Sequence, residues 1–168
     1  FVGLLKLDKG VHILIKAYEK LNTDIPLIIV GDSPDRGTYV EHLKSTPDTR
    51  IHFLGYVYGK PAQQLFANAM IYIQPSLMEG NSPALMSAMA CQRCVVVSDI
   101  DQNLETVGES GLSFRSNDPD SLRNVLGQLL NSPEKIRLLG AKARERIETI
   151  YTWDVVVDQL EQLYQSLS

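Results

Sequence analysis

Cysteine is scarce in this chain, with only Cys91 and Cys94 among 168 residues. One pair cannot staple a small fold, so a disulfide scaffold is excluded and a reducing, cytoplasmic setting is expected. No apolar run approaches the ~18 residues that a membrane crossing needs, so no transmembrane segment is expected. Basic excess is missing too: 16 Lys and Arg against 20 Asp and Glu give a net charge of −4. Duplex nucleic acid demands a positive face, so no nucleic-acid partner is expected. No G-x-G-x-x-G follows a strand, and Gly31-Asp32-Ser33-Pro34-Asp35-Arg36-Gly37 lacks the Gly-Lys-Ser/Thr ending of a P-loop. Cys91-Gln92-Arg93-Cys94 has no second ligand pair at zinc spacing and reads as buried packing. His12, His42 and His52 are scattered, and none pairs with a Ser or Asp as a nucleophilic triad would. An initiator Met is absent, and Phe1-Val2-Gly3-Leu4-Leu5 already reads as a buried strand. The expectation is a single domain, residues 1–168, excised from a longer chain.

Apolar material is ample: 44% of residues are hydrophobic and 21% charged, as in an ordinary folded domain. Short apolar runs alternate with helical stripes. Phe1–Leu5 precedes the stripe Val11, Leu14, Ile15, Tyr18, Leu21, and Pro26–Val30 stops at Gly31-Asp32. A weak helix over Gly37–Lys44 leads to a strand over Ile51–Gly55, a helix over Ala62–Ala69 and a strand over Met70–Gln74. Pro83–Cys91 is a short helix with Pro at its first position and Ser82 as cap. Cys94–Val97 is a fifth strand and Gly111–Phe114 a sixth. The last third is helical, with starts at Asp118-Pro119 and Ser132-Pro133 and a final stripe of Val156, Leu160, Leu163, Tyr164 and Leu167. Apolar strands alternating with helices mean an α/β fold, a doubly wound, Rossmann-like parallel sheet covered on both faces.

Ligands of such sheets sit beyond the carboxyl ends of the strands. The richest such end is Pro75-Ser76-Leu77-Met78-Glu79-Gly80-Asn81-Ser82-Pro83, a polar loop feeding a helix start. Free backbone N–H groups there suit a phosphate or diphosphate. Glu79 stands too early in the loop to be only a partner of the helix dipole; the plainer reading is a solvated carboxylate. Lys9-Gly10, after the first strand, is a second cation-and-glycine element, or simply a surface charge opening a helix.

Taken in order, several segments together resemble a known family. They are Phe1-Val2-Gly3 with Lys9-Gly10, Ile29-Val30-Gly31-Asp32-Ser33-Pro34, His52-Phe53-Leu54-Gly55, Gln74-Pro75-Ser76 with Glu79-Gly80, Ala88-Met89-Ala90-Cys91, Val96-Val97-Ser98-Asp99, Glu105, Gly111-Leu112 and Thr152-Trp153-Asp154. Over nearly the whole chain this resembles the carboxyl-terminal, donor-binding domain of family 4 (group 1) glycosyltransferases, retaining enzymes of the GT-B fold. The resemblance implies that a nucleotide-diphosphate sugar binds here and its sugar passes to an acceptor (glycan, lipid or other) held by an amino-terminal domain of the same protein. It implies no cofactor and no metal, because cationic side chains and a helix start meet the phosphate charge. It also implies a cytoplasmic protein that meets membranes, if at all, through the missing domain. The family's motif has two glutamates with seven residues between them; the first, at the donor sugar, matches Glu79 and so takes the catalytic role. Gly3 and Lys9, with Gly80, Asn81, Ser82 and Pro83, would line the sugar and diphosphate, and Tyr56 and Val57 would meet the base. The family's final helix often packs on the other domain, so an exposed apolar face around Trp153 is expected.

Two departures are sharp. The second glutamate, which holds the ribose, is Ser87 here, and the phosphate-binding arginine is Leu4. Each loss removes charged hydrogen bonds worth about 1.5–3 kcal/mol. Lys6 faces the same side as Leu4 if the strand continues, and would partly substitute. Met70 also replaces an acid usual before the fourth strand. Two readings therefore stand: an active transferase with a relaxed donor site, or a glycosyltransferase-like domain that no longer catalyses and serves as a binding or assembly module.

Overall fold

The structure, a computed structural model, describes residues 1–34 and 37–167. Asp35 and Arg36 of the Gly31–Gly37 turn lie outside the described residues. Along the described chain five strands alternate with six α-helices, and two further α-helices follow the last of these. β1 (Leu27–Ile29) pairs in parallel with β2 (Ile51–Phe53), in the register Leu27 to Ile51 and Ile29 to Phe53. β3 (Ile71–Gln74), β4 (Cys94–Ser98) and β5 (Leu112–Phe114) form a second parallel sheet in that order, with Ile71 opposite Cys94 and Val96 opposite Leu112.

Sequence explains the central position of β4. Its run Cys94-Val95-Val96-Val97-Ser98 is buried at every residue, and β-branched side chains suit a strand covered on both faces. One layer comprises α1 (Val11–Tyr18) and α6 (Pro119–Leu130), which bury Leu14, Ile15, Leu122, Leu126 and Leu129 against β1, Ile73 and Val96. On the other side α4 (Pro83–Ala90) and α7 (Pro133–Ile150) bring Leu85, Met89 and Ala143 onto Tyr72, Val95 and Val97. The i, i+2 alternation of the strands thus feeds two cores. α2 (Thr38–Lys44) and α3 (Gly59–Asn68) follow β1 and β2.

The expected first strand is reduced. Val30 donates to the Phe1 carbonyl (2.9 Å), and Gly3 and Leu5 donate to Val30 (3.0 Å) and Asp32 (3.1 Å), the pattern of a parallel partner to β1. Only Val2 forms a bridge, with Val30, and Leu4 is 39% exposed. The chain turns away where Lys6 N–H reaches the Leu4 carbonyl, and it enters a 3-10 turn at Leu7–Lys9.

One helix escapes the periodicity. α5 (Asp101–Val107) carries almost no apolar stripe. Tertiary contacts hold it instead: buried Asn103 donates to Ser98 Oγ (2.9 Å), and Arg146 of α7 donates to the carbonyls of Thr106 (2.8 Å) and Glu105 (2.7 Å). At the far end, α8 (Trp153–Ser166) is capped by Thr152 but buries no residue, and Trp153 is 84% exposed. The apolar face around Trp153 is exposed, as expected. No helix among the described residues is long and apolar enough to cross a membrane.

Candidate functional site

Lys9 and Glu79 are 70 residues apart in sequence and in direct contact in space: Lys9 Nζ lies 2.8 Å from Glu79 Oε2. Two local features make that meeting. Lys9 ends the 3-10 turn, and Gly10 follows in the left-handed region (φ 65°), which spares the helix start a Cβ penalty. A Cβ on Gly10 would stand 1.9 Å from the Pro75 carbonyl oxygen, so the turn lies flat against the exit of β3. The Leu77 amide donates to the Asp8 carbonyl (2.7 Å) and ties the two loops together.

Glu79 turns inward. Its side chain is 8% exposed and that of Lys9 23%. Oε1 accepts from Gln74 Nε2 (2.5 Å) and Ser76 Oγ (2.7 Å), while Oε2 takes Lys9. Gln74 also donates to Ser76 Oγ (3.2 Å) and accepts from the Tyr72 hydroxyl (2.7 Å). Burial pushes the Tyr72 phenol far above its ordinary pKa, and the Glu79 charge adds to that, so Tyr72 stays a donor. Further in, Ser98 Oγ donates to the Ser76 carbonyl through a short bond, and Asn103 supports Ser98. No buried side-chain nitrogen or oxygen among the described residues lacks a partner. A nearly buried carboxylate is tolerable only under such satisfaction.

Beyond Glu79 the loop opens. A Cβ on Gly80 would meet nothing within 4 Å. Ser82 caps α4 by accepting from the Leu85 amide (3.3 Å), with Pro83 at the first position. Among the described residues, the amides of Gly80, Asn81 and Ser82 donate to no protein acceptor. An ammonium, a carboxylate and unpaired amides at a helix start can together receive a polyol bearing phosphate. Ser87 sits one turn into α4 and is exposed, but its hydroxyl donates to the Pro83 carbonyl (2.8 Å), turning the side chain onto its own helix.

The other expected positions are placed differently. Gly3 packs under the Gly31 turn, its carbonyl oxygen 1.8 Å from where a Gly31 Cβ would lie. Leu4 is half-exposed and apolar. Lys6 stands at the start of a 3-10 turn, so strand alternation no longer relates it to Leu4, and the premise for its substitution is gone. Tyr56, after β2, stacks on Tyr58 with centroids 6.1 Å apart. Val57 lines an apolar cavity of about 700 Å³ whose wall also holds Phe1, Leu27, Phe66 and Tyr72, but neither Lys9 nor Glu79. Among the described residues, no hydrogen bond or ion pair joins Tyr56 or Val57 to the Lys9–Glu79 cluster. Cys94 is buried, and burial pushes its thiol up to about 11, which suits packing rather than redox chemistry.

Sequence reading missed the roles of Tyr72, Gln74 and Ser76. The available signal was polarity: Gln74 and Ser76 close an otherwise apolar strand at alternating positions, pointing where Tyr72 points.

A family model described as "Glycosyl transferases group 1" matches residues 1–132. The MMP alpha-(1->4)-mannosyltransferase of Mycolicibacterium hassiacum is 36% identical over 94% of this chain and 40% of its own length. Sucrose-phosphate synthase from Thermosynechococcus elongatus superposes with a TM-score of 0.82 at 27% identity, over 99% of this chain and 44% of that one. Anabaena Alr3699/HepE, solved in complex with UDP-glucose, shares the fold with a TM-score of 0.83 at 23% identity, over 98% of this chain and 47% of that one. The chain thus spans less than half the length of these relatives.

Proposed function

The chain belongs to the glycosyl transferases group 1 family, and from that premise we propose that it is the donor-binding half of a retaining glycosyltransferase. The observation that carries the proposal is the contact of Lys9 with Glu79 at 2.8 Å beside the open start of α4. In the transfer, the bond between the sugar's anomeric carbon and the diphosphate oxygen breaks and a bond to an acceptor oxygen forms. The nucleoside diphosphate leaves carrying the electron pair, and its oxygen takes up the proton that the acceptor hydroxyl loses. Charge developing on that oxygen needs cations and amides already in place. Lys9 and the free amides of Gly80, Asn81 and Ser82 supply them, so no metal is assigned to this step. Glu79 receives a hydroxyl of the donor sugar, and Lys9 passes from the carboxylate to the diphosphate when the donor enters.

The acceptor, a glycan, a lipid or another hydroxyl compound, is assigned to an amino-terminal domain of the same protein. The shorter span of this chain against its relatives and the uncovered face of α8 support that division. The Anabaena neighbour, which holds UDP-glucose on the same fold, supports the donor class.

A second reading has its own observation. Leu4 offers no charge, and the Ser87 hydroxyl proton is committed to Pro83, so two donor contacts of the resembled family are absent. That favours a domain that binds or assembles without catalysis. One experiment separates the two. Nucleotide sugars are screened for transfer by the full-length protein, then Glu79→Gln and Lys9→Ala are measured with the best donor. Each variant is expected to lose about tenfold to a hundredfold in kcat/KM, the worth of a charged hydrogen bond. Unchanged biological activity in Glu79→Gln establishes the non-catalytic reading.

A further inference from the structure

Glu79 has two oxygens, and the chain treats them differently. Oε1 accepts from both Gln74 and Ser76, whereas among the described residues Oε2 is held only by Lys9. The orientation of the Gln74 amide follows from the chemistry of its neighbours. A carboxylate cannot donate, so the amide nitrogen faces Glu79, and the amide oxygen faces the Tyr72 hydroxyl. Both amide hydrogens and the carbonyl are then used, on Glu79, Ser76 and Tyr72. Tyr72 and Gln74 are two residues apart on β3 and both are buried, so the strand itself sets their spacing.

We propose that Gln74 is a positioning residue of the donor site: aimed by Tyr72, it fixes Oε1 of Glu79 so that Oε2, once released by Lys9, is the oxygen presented to the donor sugar. The inference rests on the reading of Glu79 as the sugar-facing carboxylate. It adds that sugar recognition is set from behind, by a buried amide that never touches the ligand. A glutamate on an open loop samples several rotamers; this one is locked by two donors from within the sheet layer.

The test uses the full-length protein and its best donor, with Gln74→Leu, Tyr72→Phe and the double variant. Two affinities are measured for each, for the intact nucleotide sugar and for the bare nucleoside diphosphate. Gln74→Leu is expected to weaken the nucleotide sugar and lower kcat/KM by about tenfold to a hundredfold, with nucleoside diphosphate binding unchanged. Tyr72→Phe keeps the ring and is expected to cost about twofold to tenfold in the same direction. The double variant is expected to match Gln74→Leu alone, because Tyr72 acts through Gln74. A merely structural defect weakens both ligands together and adds in the double variant; that result overturns the proposal. Should Gln74→Leu fail to fold, Tyr72→Phe carries the same comparison, and an unchanged nucleotide-sugar affinity there refutes it. Glu79→Gln separates the layers. If it leaves transfer and sugar affinity intact, or if no nucleotide sugar is used, the donor-site reading falls and this inference with it. If it costs activity while Gln74→Leu does not, only the positioning role falls.

Discussion

Gly10→Ala probes the packing that brings Lys9 to Glu79. Two costs fall on the new methyl group. The left-handed backbone at φ 65° strains any residue with a Cβ by about 1 kcal/mol. The Cβ would also stand 1.9 Å from the Pro75 oxygen, where ordinary contact begins at 3.4 Å. Neither backbone gives way easily: Pro75 is buried at the end of β3, and the Leu77–Asp8 hydrogen bond closes the loop over it. Forced overpacking of this kind costs about 1–3 kcal/mol. The sum is about 2–4 kcal/mol, equivalent to about 4–16 °C in Tm for a domain of this size. Gly59→Ala supplies the control. Gly59 has nearly the same φ, 62°, but its Cβ would meet nothing within 4 Å, so it pays only the backbone strain, about 1 kcal/mol. Urea denaturation of both variants, in the full-length protein, measures the difference. Gly10→Ala is also expected to weaken donor binding, because relief of the clash carries Lys9 away from Glu79. Equal destabilisation of the two variants refutes the close approach and, with it, the account of how the site is assembled.

Two further outcomes concern stability, beside the kinetic ones given above for Glu79, Lys9, Gln74 and Tyr72. Gln92 follows the end of α4 at φ 62°, so Gln92→Gly is expected to raise the denaturation midpoint by the equivalent of about 0.5–1 kcal/mol; a lower midpoint rejects the strain. The pKa of His12 is lowered by burial first, then by the positive charges of Lys16 and His42, and its Nδ1 lies 2.9 Å from the Tyr39 hydroxyl. The unfolded chain then binds more protons below its ordinary value of about 6.5, so the stability linked to His12 is complete above that pH and falls as pH drops beneath it. Denaturation of wild type and His12→Gln at neutral and at mildly acidic pH checks this. The wild type is expected to lose more stability than the variant, and parallel losses contradict the assignment.

Much of the fold was legible along the chain because its causes are local. The unbroken Val95-Val96-Val97 run placed a strand, and the stripe of α1 placed its buried face. Ser82-Pro83 and Asp118-Pro119 marked helix starts that the caps on Leu85 and Ser121 match. α5 was not legible, since Asn103 and Arg146 hold it from other elements. The first strand was overread, because the turn after Leu4 that shortens it leaves no mark in hydrophobicity. The condition set for Lys6, a continuing strand, is not met for the same reason.

Local propensity and periodicity therefore determined the order of strands and helices, and motif order pointed to the family and to Glu79 and Lys9. Only the tertiary structure decided that those two groups touch, which Glu79 oxygen faces Gln74, and that Ser87 turns back onto α4. The physical reason is range. Backbone preferences and capping act within a few residues, whereas the aim of a buried carboxylate is set by donors from strands and turns that only chain folding brings within 3 Å.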